Sequence, residues 1–258
     1  MPVASGLYYF AHEADRLTRP PVILIHGAGG NHLHWPPQIR RLPDQRIFAI
    51  DLPGHGKSEG LGHHTIDDYA DCIVEFIKAL KLNVAVLVGH SMGSAVALSA
   101  AIRFPERVIG LGLVGGGAKL RVAPSILQSA SNPSTFANAI QMITDFSFAP
   151  QTDERLKELA AQRMSETRPT VLHGDFLACD TFNAMNQLSK ISAPTLVLCG
   201  EKDQMTPPKY SEFLRDNIAG ARMEVVPNAG HMVMLEQPEK VAGILDGFLN
   251  TISYQPGQ

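Results

Sequence analysis

Short, largely apolar runs recur along this chain, and they limit what it can fold into more than any other feature. They are Val22 to Ile25, Ile47 to Ile50, Val84 to Val88, Val108 to Val114, Thr195 to Cys199 and Met223 to Val226. A strand with water on one face alternates polar and apolar residues. Most of these runs do not, which predicts strands covered on both faces. Between them lie stretches with helical spacing. One runs through Ile66, Tyr69, Ala70, Ile73, Ile77 and Leu80 behind a capping Thr65, and another covers Ser94 to Phe104. Strand and helix in alternation predict an α/β protein with a doubly wound, mostly parallel sheet. Leu7 to Ala11 predicts one further strand, followed by a polar turn through Glu13 to Arg19. Pro238 to Thr251 closes the chain as a helix with proline in its first turn.

The run from Val84 ends in Gly89-His90-Ser91-Met92-Gly93, at a switch from strand to helix. A serine between two glycines at such a switch matches the Gly-x-Ser-x-Gly nucleophile elbow. The turn is sharp, side chains at the glycine positions would strike backbone, and the hydroxyl is lifted in front of a helix N-terminus. A serine hydroxyl is a poor nucleophile at neutral pH, so it needs a base and a group to orient that base. In doubly wound sheets working residues sit at the carboxyl ends of strands. That rule selects Gly200-Glu201-Lys202-Asp203 and Pro227-Asn228-Ala229-Gly230-His231.

Further motifs lie at other strand ends, namely His26-Gly27-Ala28-Gly29-Gly30, Asp51-Leu52-Pro53-Gly54-His55-Gly56-Lys57-Ser58, and Gly230-His231 trailed by Glu236-Gln237-Pro238. With the elbow, these make the chain resemble the α/β-hydrolase-fold proteins, over nearly its whole length outside one insertion. The resemblance is to serine esterases with a helical cap. It implies Ser91 as nucleophile, His231 as general base and Asp203, in preference to Glu201, as the acid that orients it. It also implies the backbone N–H groups of Ala28 and Met92 as oxyanion donors. Only one clear strand precedes Val22, so the family's usual first antiparallel strand is expected to be short or absent.

The strand rhythm stops between about Gly115 and Lys190. Phe136, Ala139, Ile140 and Ile143 are helically spaced there, as are Leu156, Leu159, Ala160 and Met164. The expected division is a core of residues 1–117 and 191–258, with residues 118–190 as a helical lid over Ser91. Met142, Phe146, Phe148 and Leu172 are candidates to line an apolar acyl pocket, with simple packing as the alternative.

Other signals lead elsewhere or nowhere. A phosphate loop ending in Gly56-Lys57-Ser58 would need glycine where Asp51 stands, and a dinucleotide fingerprint starting at Gly27 fails at His32. The pairs His32/His34 and His63/His64 lack carboxylate or cysteine partners at ligand spacing, so they read as loop histidines rather than metal ligands. His26 and His90 are expected to pack or hydrogen-bond beside the site, and Asp51 and Asp175 to be structural. Cys72, Cys179 and Cys199 are odd in number and lie in apolar segments, which predicts buried thiols in a reducing compartment. The net charge of −3 gives no reason to expect nucleic acid or an acidic membrane surface as partner. The first residues lack the order of a signal peptide and no apolar run is long enough to span a bilayer, so a cytoplasmic location is expected. At 258 residues, 45% hydrophobic and 18% charged, the chain suits one large globular domain with an insertion.

The leading reading is therefore a serine carboxylesterase for small or medium, mainly apolar esters, working through an acyl-enzyme with no metal or cofactor. A carbon–carbon bond hydrolase or lactonase on the same triad would act on acidic substrates, which would aim Arg121, Arg163 or Arg168 into the cleft. A ligand receptor on a hydrolase scaffold is the reading from another class. Oligomeric state is not legible.

Overall fold

A computed structural model describes residues 2–13 and 18–255. The polar turn expected through Glu13 to Arg19 falls in part on residues 14–17, outside the described ones. The strands are β1 (Val3–Ala4), β2 (Leu7–His12), β3 (Val22–Ile25), β4 (Ile47–Ile50), β5 (Ala85–His90), β6 (Val108–Val114), β7 (Thr195–Gly200) and β8 (Arg222–Val226). They form an eight-stranded sheet in the order β1-β2-β4-β3-β5-β6-β7-β8. Only the β1–β2 and β2–β4 pairings are antiparallel; from β4 to β8 neighbours run parallel. The short first strand expected from the sequence is the two-residue β1.

Helices α1 (Pro37–Arg40), α2 (Ile66–Ala79) and α3 (Met92–Arg103) come after β3, β4 and β5. Thr65 caps α2 by accepting from Asp68 N–H at 3.2 Å. Four α-helices lie between β6 and β7: α4 (Pro124–Ser131), α5 (Phe136–Ser147), α6 (Glu154–Ser165) and α7 (Pro169–Thr181), followed by a 3-10 turn at Met185–Lys190. The ends of this stretch meet in an isolated bridge between Lys119 and Asn183. Helices α8 (Pro208–Asn217), α9 (Val233–Glu236) and α10 (Pro238–Leu249) complete the chain.

Alternation along the strands divides the core into two layers. Ile23, Ile25, Leu87, Leu111, Leu113 and Val197 pack with α2 and α3 on one face. Val22, Leu24, Val86, Val88, Leu196 and Leu198 pack with α1 and α10 on the other. Strands buried on both sides need no polar residues, which is why the central runs are continuous in the sequence. At the edge β8 is mostly exposed, with Val225 at 43%.

Candidate active site

Ser91 occupies the junction between β5 and α3 at φ 53°, ψ −118°. A non-glycine residue held there costs about 1–3 kcal/mol and persists only where its surroundings force it. The two glycines do the forcing. A Cβ on Gly89 would lie 2.0 Å from the Gly93 carbonyl oxygen, and one on Gly93 would lie 2.4 Å from that of Ile25. Ser91 N–H donates to Val114 O at 2.9 Å, and its own carbonyl accepts from Ser94 N–H at 2.9 Å.

His231 arrives on the loop after β8. Its Nδ1 lies 2.9 Å from Asp203 Oδ2, and among the described residues no partner takes Nε2. The Asp203 carboxylate sits on the loop after β7. Its Oδ1 accepts the N–H groups of Met205 at 2.9 Å and Thr206 at 2.8 Å. The Thr206 hydroxyl stands 2.9 Å from Oδ2 and 2.8 Å from the Gly115 carbonyl. Burial alone would raise this carboxyl's pKa, but the His231 imidazole and the N–H donors outweigh it and hold it below the usual carboxylate range. Glu201 is exposed, accepts from Asn228 N–H at 3.3 Å and pairs with Lys202 Nζ at 3.7 Å. The imidazole therefore meets Asp203 and not Glu201.

Glu236, of the trailing Glu-x-Pro, braces the histidine loop. Its Oε1 accepts Gly230 N–H at 2.8 Å, while Oε2 accepts Ala149 N–H at 2.9 Å and the Thr152 hydroxyl at 2.6 Å. Met232 N–H adds a bond to Ser147 O at 3.0 Å. A Cβ on Gly230 would come within 2.6 Å of Ala149 N.

A cavity of about 30 Å³ joins these groups, lined by Gly27, Ala28, His34, His90, Ser91, Ile143, Ser147, Met164, Phe176, Met205, His231 and Met232. Ser91 and His231 thus face one space. Neither Ala28 N–H nor Met92 N–H has an acceptor among the described residues. The neighbouring histidines are neutral. His90 donates Nε2–H to the His231 carbonyl at 2.9 Å, and burial, then the nearby His231, keeps its pKa well below the ordinary value. Burial, then His90 and Arg163, bring His34 down to about 3. His26 donates Nδ1–H to Gly27 O and accepts Leu52 N–H on Nε2, and burial lowers it as well.

The expected pocket residues need correction, because none of the four lines this cavity. Met142 and Phe146 sit on α5 one position before Ile143 and Ser147, which carry the inward face; Phe146 is 48% exposed. Phe148 is buried in the layer shared with α10, and Leu172 packs with α4 and α5 and lies beneath Gly29. Met164 and Phe176, from α6 and α7, complete the wall. Thr206 is a polar residue of the site that the motifs do not include. Asp203-x-x-Thr206, with the carboxylate accepting the N–H groups two and three residues on, is a local turn signal that could have found it.

Of the arginines, Arg121 borders a separate hollow beside Lys209 and Tyr210. Arg163 and Arg168 border a groove near Gly54 and Gly60. Asp51 braces a loop by accepting His32 N–H at 2.6 Å and Lys57 N–H at 2.9 Å. His63 turns to Cys72, with Nε2 3.4 Å from Sγ. Among the described residues no group of three or more His, Cys, Asp or Glu side chains is placed to hold a metal ion. Likewise no helix is long and apolar enough to cross a membrane. The three cysteines are free thiols.

Comparison with known proteins bears on the family. The model of the alpha/beta hydrolase family matches residues 22–244. A solved structure described as a thermophilic esterase is 34% identical, with a TM-score of 0.80 over 95% of this chain and 98% of that one. The chain is 26% identical to 3-oxoadipate enol-lactonase 1 of Acinetobacter baylyi, across 90% of each. It is 28% identical to the pimeloyl-[acyl-carrier protein] methyl ester esterase of Neisseria meningitidis, across 90% of this chain and 94% of the relative. A strained serine between obligatory glycines, a buried aspartate–histidine pair and a family match over most of the sequence lead to one conclusion: the chain belongs to the alpha/beta hydrolase family, as an esterase-like member.

Proposed function

We propose that this carboxylesterase-type hydrolase cleaves small, uncharged esters through an acyl-enzyme on Ser91. Ser91 Oγ attacks the carbonyl carbon while His231 Nε2 takes the hydroxyl proton. Asp203 keeps the other imidazole proton on Nδ1 and stabilises the imidazolium. The carbonyl oxygen, now an alkoxide, accepts from Ala28 and Met92 N–H, each typically worth about 2.7–4 kcal/mol. Collapse expels the alcohol, which leaves with the proton from His231. Water activated by the same imidazole then releases the acid. Helices α4 to α7 serve as a cover over this chemistry.

The observation that carries the substrate reading is the wall of the cavity. It holds no aspartate, glutamate, lysine or arginine side chain, and Arg121, Arg163 and Arg168 border other hollows. A carboxylate-bearing substrate would meet neutral His34 and His90 and the apolar Ile143, Met164 and Phe176, with no cation in the wall itself to offset its desolvation and only Arg163, behind His34, within electrostatic reach. Neutral lactones, being cyclic esters, fit the same chemistry. Turnover is tested with p-nitrophenyl acetate, a neutral lactone and an enol-lactone carrying a free carboxylate. Hydrolysis of the first two that disappears in Ser91→Ala is the expected result. Preference for the carboxylate, or activity surviving in Ser91→Ala, refutes the reading; binding without turnover by the wild type would favour a receptor.

A further inference from the structure

We infer that Asp175, on α7, is a positioning residue for the loop that receives the oxyanion, and that it acts as half of a buried ion pair with His55. The inference rests on the proposed role of Ala28 N–H.

The hydrogens at these groups decide their charge. The Pro53 carbonyl, 3.0 Å from His55 Nδ1, can only accept, so Nδ1 carries a hydrogen. His55 Nε2 lies 2.8 Å from Asp175 Oδ2. That same oxygen accepts Gly29 N–H at 2.8 Å. Oδ1 accepts the Tyr69 hydroxyl at 2.6 Å, and Tyr69 is itself an acceptor for His63 N–H at 3.0 Å. We read an acid whose two oxygens already accept Gly29 N–H and the Tyr69 hydroxyl as a carboxylate, and a bare Nε2 lone pair against it would be repelled. Nε2 therefore carries a second hydrogen, and the pair is imidazolium and carboxylate, with both side chains fully buried. Burial by itself would lower the His55 pKa; the Asp175 charge and hydrogen bond reverse this and raise it.

Three successive peptide planes of this loop are pinned, the middle one by Asp175. Gly27 O is fixed by His26 Nδ1–H at 2.8 Å and by Gly30 N–H at 3.1 Å. Because a peptide is planar, this sets the direction of Ala28 N–H in the same unit. The next plane is pinned through Gly29 N–H by Asp175. The one after is pinned through Gly29 O by the Thr167 hydroxyl at 3.0 Å. Gly29 has φ +62°, open to glycine, and a Cβ there would meet Leu172 at 2.6 Å. Asp175, Thr167 and Leu172 all belong to the stretch between β6 and β7. The plane that follows the Ala28 donor is thus held from the stretch between β6 and β7, by a charge that touches no substrate.

The test uses a trifluoromethyl ketone, whose carbonyl adds Ser91 Oγ reversibly to give a tetrahedral alkoxide, with the serine proton passing to His231. Its Ki is compared with the KM of p-nitrophenyl acetate in the wild type, Ser91→Ala, Asp175→Ala, Tyr69→Phe and the double variant Asp175→Leu/His55→Leu. The double variant removes both buried charges, so it folds even where an unpaired imidazolium would not. The ratio Ki/KM is independent of the folded fraction, and loss of stability alone leaves it unchanged. Both Asp175 variants are expected to raise it about 10- to 100-fold, the range set by a displaced oxyanion donor. Tyr69→Phe, which removes only the bond to the other oxygen, leaves it unchanged. If Ser91→Ala is inactive yet both Asp175 variants keep the wild-type ratio, the inference is overturned. If Ser91→Ala remains active, it is the serine reading that fails.

Discussion

Asp203→Asn tests the chemistry most sharply, because the structure dictates how the new amide must lie. Oδ1 of Asp203 faces two N–H donors, of Met205 and Thr206, so the asparagine oxygen takes that place. Its NH₂ group then replaces Oδ2, 2.9 Å from His231 Nδ1. An NH₂ group can only donate, so Nδ1 must become the acceptor and the imidazole hydrogen moves to Nε2. There it points at the space shared with Ser91, and the base can no longer accept the serine proton. The bonds that shape the loop survive, so folding should change little. The equivalent change in another serine hydrolase costs about 10⁴ in kcat, or about 5.4 kcal/mol of barrier, and a loss of that order is expected here. Glu201→Gln, on an exposed side chain, should stay within about twofold. The assay is kcat and KM on p-nitrophenyl acetate with melting curves alongside. A loss under about tenfold for Asp203→Asn, or a larger loss for Glu201→Gln, refutes the assignment of the acid.

Other contacts set further expected outcomes. Gly93→Ala should destabilise the fold by about 3 kcal/mol, read from urea denaturation, because its methyl would sit 2.4 Å from one carbonyl oxygen and 2.5 Å from another. Met164→Ala enlarges a cavity of about 30 Å³ and should shift preference from acetyl toward butyryl esters, measured as the ratio of kcat/KM values. Asp203 and Asp51 both have pKa values held below the ordinary range. Their stabilisation is present above the unfolded-state value of about 4 and lost as pH falls through the lower folded values, so the melting temperature should drop steeply below about pH 4. Cys72, its thiol pushed up to about 11 by burial and then by Asp71 and Asp68, should react with iodoacetamide far more slowly than free cysteine near neutral pH.

The sheet is legible in the sequence because strands buried on both faces must be apolar at every position, and the elbow because its two glycines are sterically unavoidable. Looking at the loops that leave the ends of strands narrows the search to the two that carry Asp203 and His231, and the family resemblance then prefers Asp203 to Glu201. Helix α7 is not legible. Val171, Leu172, Phe176 and Cys179 are buried around it, along with Asp175, so no single apolar face repeats along it. The cavity lining escapes a linear reading because bulk does not report orientation. On α5 the inward positions are Ile143 and the small Ser147, whose hydroxyl lies 3.1 Å from Met205 sulfur, while the larger Phe146 points out. Nothing in a linear sequence reveals that the oxygens of Asp175 reach Gly29, Tyr69 and His55 at once, so its importance to the loop emerges only in three dimensions.

The brace at Glu236 has an evolutionary consequence. One carboxylate ties the backbone next to His231 to residues 149 and 152, in the stretch between β6 and β7 proposed above as the cover. Under the proposed function, specificity and reactivity are therefore not separable modules. A chimera that imports a foreign set of covering helices inherits a working base only if the graft brings donors that match this anchor.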